Sequence, residues 1–157
     1  MKKLLVIYFI LLSTLLSAYS IDFDNNTSGF VRHLKIYKHP AWIAQINLSN
    51  GKKVPFCSPK SMFEFYLHPG RWPDMHLKSE SDFQLILVTD YISHKIINAK
   101  EAFFVYGSNI TSPAGDDLPA FSSYEEADKF MKKYGGARVM SFKEISYGLI
   151  KLLNGDI

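Results

Sequence analysis

The chain is 157 residues long, 47% hydrophobic and 21% charged, with one cysteine and a formal net charge of +3. One compact domain is the expectation at this length, and a disordered chain or a disulfide scaffold is excluded. The charge is too small and too dispersed for a nucleic-acid footprint, since Lys2 and Lys3 sit at the extreme N-terminus.

Lys2 and Lys3 precede an apolar run from Leu4 to Leu12. Ser13 to Ser20 follows, with Ala18 and Ser20 at the −3 and −1 positions of a cleavage site. This is the pattern of a secretory signal peptide, and it predicts a periplasmic protein cut after Ser20. The apolar core falls short of the ~20 residues that span a bilayer, so no stable membrane anchor is expected after cleavage. A lipoprotein needs a cysteine at the cut, whereas the single cysteine here is Cys57. Without the two leader lysines, basic and acidic side chains almost balance.

Residues 21–29 are polar and turn-rich and read as a flexible leader. Phe30–Tyr37 and Trp42–Leu48 have alternating apolar positions around Lys38-His39-Pro40, which predicts an antiparallel strand pair. Asn50-Gly51 starts a turn. Ser58-Pro59 is a helix start, an N-cap serine followed by proline at the first helical position, and the helix is expected to end near Leu67. Arg71–Ser81 reads as a loop and Phe83–Thr89 as a buried strand. Lys95–Asn98 and Ala102–Tyr106 are further strands, and 107–119 is a long loop. Ser122 or Ser123 caps a helix ending at Tyr134 before Gly135-Gly136. Ala137–Met140 is a short strand, and Ser141 with Glu144 predicts a capping box for a terminal helix over 142–153. The expected fold class is α+β: two strand–strand–helix–strand units in one domain over 30–157, plus the C-terminal helix.

Several stretches together resemble one family. They are Pro40-Ala41-Trp42-Ile43-Ala44-Gln45-Ile46, Phe56 with Lys60-Ser61-Met62-Phe63-Glu64-Phe65-Tyr66, and Val88-Thr89-Asp90-Tyr91. Asn98-Ala99-Lys100-Glu101-Ala102, Val105-Tyr106-Gly107-Ser108, Ser112-Pro113-Ala114-Gly115, Leu118-Pro119-Ala120-Phe121, Glu126-Ala127, Phe130 and Gly135-Gly136 continue the set. In order and spacing it resembles the nitrous oxide reductase accessory protein NosL. The resemblance implies a periplasmic copper(I)-binding, non-enzymatic protein that assists assembly of the copper centres of nitrous oxide reductase or a related cuproenzyme. It also implies a fold of two strand–strand–helix–strand units. The family's copper motif is Cys-Gly-Met shortly before the Pro-x-Trp stretch, where this chain has Arg32, His33 and Leu34. A further methionine ligand, in Pro-Met-Gly, is Ala114 here.

Other donors are therefore the candidates. With Ser58 as N-cap, Cys57 and Met62 occupy the two positions of a hydrophobic staple and are expected to touch. That contact either fixes the chain's approach to the helix or brings thiolate and thioether together for copper(I). Redox chemistry or linkage to a partner is a third use of the thiol. His33 lies inside the family's ligand segment and completes the expected metal set of Cys57, Met62 and His33. His39, His68, His76 and His94 are scattered, although His68, Met75 and His76 frame the loop around Trp72. The carboxylate pairs Asp22/Asp24 and Asp116/Asp117 read as turn chemistry. Phe63, Phe65 and Tyr66 cannot share one helix face, so at least one is expected to point outward, where with Trp72 it would form a patch for docking a partner protein. The alternative function is accordingly a metal-free interaction module that kept the fold. No nucleophile elbow, phosphate loop or zinc-protease motif occurs.

Overall fold

The computed structural model describes residues 18–115 and 118–157. The expected signal peptide lies almost wholly outside the described residues, as does the Asp116-Asp117 pair. Alternation along Ala44–Leu48 (β1) organises the first sheet: Ala44, Ile46 and Leu48 face the main core, and Gln45 and Asn47 face the other way. β1 pairs antiparallel with Lys53–Phe56 (β2) on one side and Phe83–Thr89 (β3) on the other. Ile96–Asn98 (β4) extends the sheet to the order β2-β1-β3-β4.

The first hairpin thus differs from expectation. Phe30–Tyr37 is not a strand. It carries a turn closed by the Gly29 N–H donating to the Leu34 carbonyl (2.9 Å), and 3-10 turns follow at Ile36–Lys38 and Pro40–Trp42. β1 pairs instead across the Asn50-Gly51 turn, where Gly51 takes a φ of 85°. Pro55 concealed β2, but proline is tolerated on an edge strand because no ladder partner needs its missing N–H.

Pro59–Leu67 (α1) begins as expected, with the Ser58 hydroxyl accepting the Ser61 N–H at 3.2 Å. Every residue from Pro59 to Phe65 is buried, because α1 is covered on more than one face. Phe65 meets Phe56 and Phe83 of the first sheet at centroid distances of 5.4 and 6.3 Å. Phe63 meets Phe104 at 5.1 Å and Phe142 at 4.9 Å. The expected outward aromatic patch is therefore corrected: Phe63 and Phe65 are core residues, and Tyr66 and Trp72 are half-buried.

Phe104 belongs to the second sheet, built from Phe103–Tyr106 (β5), Ala120–Phe121 (β6) and Arg138–Ser141 (β7) in the order β6-β5-β7. That order repeats β2-β1-β3, so both strand–strand–helix–strand units have the same topology. Along β5, Phe104 faces the α1 core while Val105 faces a cluster with Ala127 and Phe130 of Tyr124–Lys133 (α2). The second sheet thus lies between α1 and α2. Ser123 caps α2 by accepting the Glu126 N–H. Asp90 joins the two sheets, its carboxylate accepting the Ser122 N–H at 2.7 Å while the next residue's N–H donates to the Ala120 carbonyl at 2.8 Å.

The terminal helix, Tyr147–Asn154 (α3), starts later than the expected residue 142. The capping box of Ser141 and Glu144 exists but closes a 3-10 turn over Phe142–Glu144; Ser146 then caps α3. A capping box satisfies the first turn alone, and whether the helix continues depends on what packs beyond it. Residues 21–29, expected as a loose leader, hold an Asx turn in which the Asp24 carboxylate accepts the Asn26 and Thr27 N–H groups. Ile21 is buried with Ile36, Ile43, Cys57 and Leu87. Leu85 packs on the same cluster, so the N-terminal segment covers the sheet face opposite α1. Among the described residues, no helix is long and apolar enough to cross a membrane.

Candidate functional site

Three segments converge where the chain leaves β2 and enters α1. The first is that junction itself, Cys57-Ser58, with Cys57 only 1% exposed. The second is the 29–34 turn. A Cβ added to Gly29 would lie 2.7 Å from the Cys57 backbone nitrogen, so the Gly29 backbone packs directly on Cys57. The third is the 112–115 turn, closed by the Ser112 hydroxyl, which donates to the Gly115 carbonyl at 3.2 Å and accepts the Ala114 N–H at 3.0 Å. Ala114 packs against the cluster holding Cys57, and its carbonyl accepts from Lys60 at 3.4 Å.

The sequence-predicted donors are divided by this arrangement. Cys57 belongs to the small cluster outside the first sheet, whereas Met62 is fully buried in the main core. The two side chains therefore belong to different hydrophobic clusters, because successive layers of the fold claim the two ends of the first helical turn. His33 lies in the 29–34 turn, exposed, with a left-handed φ of 57° and its N–H donating to Gly29 at 2.8 Å. Glycine adopts that conformation most cheaply, and glycine is what the resembled Cys-Gly-Met motif has there. His76 and His94 are exposed on other turns, and buried Met75 accepts from Lys52 at 3.2 Å. His68 packs edge-on against Tyr147. Among the described residues no three His, Cys, Asp or Glu side chains gather closely enough to hold a metal.

At the position of the motif's cysteine, Arg32 makes an ion pair. Its Nη2 donates to Glu64 on α1 and to Asn154 at the end of α3, both at 2.9 Å. Arg71 donates to the other Glu64 oxygen at 2.7 Å and lies over the Trp72 ring at 5.8 Å. Glu64 is 3% exposed, so two guanidinium groups neutralise a buried carboxylate. A guanidinium has no lone pair to offer a metal, and Leu34 and Ala114 carry none either. The turns that the resemblance assigns to sulfur ligands therefore do not fit copper(I), which prefers thiolate and thioether donors. Sequence reasoning missed Glu64, although a carboxylate between Phe63 and Phe65 in an apolar helix was a legible sign of a buried partner.

Fold and site define an α+β domain of two identically wound units whose candidate site is built from turns at the entrance of the inner helix. The chain belongs to the NosL family, whose model matches residues 20–150. It is similar to the crystal structure of the copper chaperone NosL from Shewanella denitrificans, with a TM-score of 0.71 and 24% identity, over 83% of this chain and 98% of that one. At that identity the likeness is one of fold. No curated protein matches the chain.

Proposed function

We propose that this NosL-family chain is an exported, non-enzymatic copper-handling accessory protein, serving maturation of nitrous oxide reductase or a related periplasmic cuproenzyme. The similar copper chaperone supports copper as the cargo. The observation that carries the reading is the position of Cys57, packed against Gly29 of one family ligand turn and clustered with Ala114 of the other. The thiol has taken the place of the missing sulfurs between the same two turns. Cys57 supplies the thiolate and His33 the imidazole. Met62 completes the proposed set only after the helix entrance rearranges. Residues 1–20 act as a cleaved signal peptide, and burial of Ile21, the residue after the cut, supports that boundary.

Competition of the metal-free protein against a Cu(I) chelator tests this. Binding by the wild type and at least tenfold weaker binding by Cys57→Ser are expected. No binding, or binding indifferent to Cys57, overturns it. Met62→Leu, nearly volume-conserving, separates a ligand from a core residue: unchanged affinity removes Met62 from the set.

The ion pair at Arg32 favours a second reading, a metal-free module that docks on a partner of the same assembly. Thermal unfolding decides between the two. Copper(I) at about 100 times its dissociation constant stabilises a true binder by ~2.7 kcal/mol. The module predicts no shift in Tm.

A further inference from the structure

The 29–34 turn is fastened at two points of different character. Its near end is apolar and backbone-bonded: the Phe30 N–H donates to the Pro55 carbonyl at 2.8 Å, and the Phe30 ring lies 5.4 Å from Phe65 and 5.3 Å from Trp72. Its far end is held by Arg32, which reaches Glu64 and Asn154. Cys57, out of reach of solvent, lies against Gly29 at the start of this turn and shares a cluster with buried Ile36 just beyond its end. We propose that the Arg32–Glu64 pair is a latch that keeps the turn closed over Cys57, and that the thiol is exposed when this pair opens.

Two features make the latch able to open. The Arg32 side chain is 35% exposed, so water replaces its hydrogen bonds as it leaves. Glu64 is not stranded when that happens, because Arg71 stays on its other oxygen. Loss of a sole partner would leave an uncompensated buried carboxylate, which is strongly unfavourable. The second arginine removes that penalty and makes local opening much cheaper than global unfolding. The use of the latch for copper rests on the reading of Cys57 as the cargo donor, but the latch itself is tested without metal.

The measurement is the rate at which Cys57 of the metal-free protein reacts with a maleimide, at fixed pH and increasing sub-denaturing urea. The wild type is expected to react slowly. Arg32→Ala is expected to react at least about fivefold faster, the effect of losing one partly exposed ion pair, with a urea dependence far weaker than that of global unfolding. Arg71→Ala retains the latch and is expected to react no faster than wild type. Equal rates in Arg32→Ala and wild type overturn the proposal. So does equal acceleration by Arg71→Ala, or a urea dependence matching global unfolding. Fast labelling of Arg32→Ala combined with copper binding indifferent to Cys57 leaves the latch standing and removes the copper reading.

Discussion

Asp90 shows how much one side chain decides. It is fully buried, and burial pushes its pKa up, yet four hydrogen bonds outweigh that and hold it below the usual 3.8. They come from the N–H groups and the hydroxyls of Ser93 and Ser122, and the Ile92 N–H also donates to the carboxylate. A carboxylate whose folded pKa is depressed stabilises above its unfolded pKa, and that contribution is lost as pH falls through the folded value. Asp90→Ala is expected to cost about 2–4 kcal/mol at pH 7, with the difference from wild type shrinking below about pH 4, as urea unfolding at both pH values will show. Gly29 is a second such residue. Gly29→Ala forces a methyl against the Cys57 backbone, an overpacking expected to cost about 1–3 kcal/mol. A wild-type urea midpoint for that variant would mean that the turn does not press on Cys57.

At the scale of elements, α1 and α2 are built by different rules. Pro59–Phe65 is buried throughout, whereas α2 buries Ala127 and Phe130 and leaves its charged residues to solvent. Phe63→Ala and Phe65→Ala are both expected to cost about 3–5 kcal/mol, since each ring fills a different side of the same helix. Ser58→Ala is expected to cost about 1 kcal/mol through the lost cap. Chemical unfolding measures all three, and a tolerated Phe65→Ala would restore the docking-patch reading that its burial removes. Both helix starts were legible because Ser58-Pro59 and Ser123 with Glu126 act within one turn. β3 was legible because Phe83–Thr89 is a long, β-rich apolar run. The strand partner of β1 was not, since Phe30–Tyr37 alternates as well as Lys53–Phe56 does. The choice between them depended on the Asn50-Gly51 turn and on Pro55 finding an edge.

Across the whole molecule, the two units share one strand order and one core, with α1 in contact with both sheets. They are expected to unfold in a single transition. Trp42 packs on Tyr91 beside the junction of the sheets, and Trp72 packs on Phe30 and Phe65. Fluorescence and circular dichroism should therefore give coincident urea curves, and a separate fluorescence transition would show that the units melt independently. The candidate site belongs to this scale too. The residues converging on Cys57 come from positions 29–34, 57–60 and 112–115.

The sequence by itself determined the starts of α1 and α2, the long strand and the absence of the expected sulfurs, because each depends on neighbouring residues or on composition. Only the tertiary structure decided that Cys57 and Met62 part into separate layers, and that Arg32 closes a turn on Glu64. Those outcomes depend on which distant segments fill the space on either side of a sheet. Local periodicity tells a side chain that it has two faces to choose from, but not what will be waiting at each.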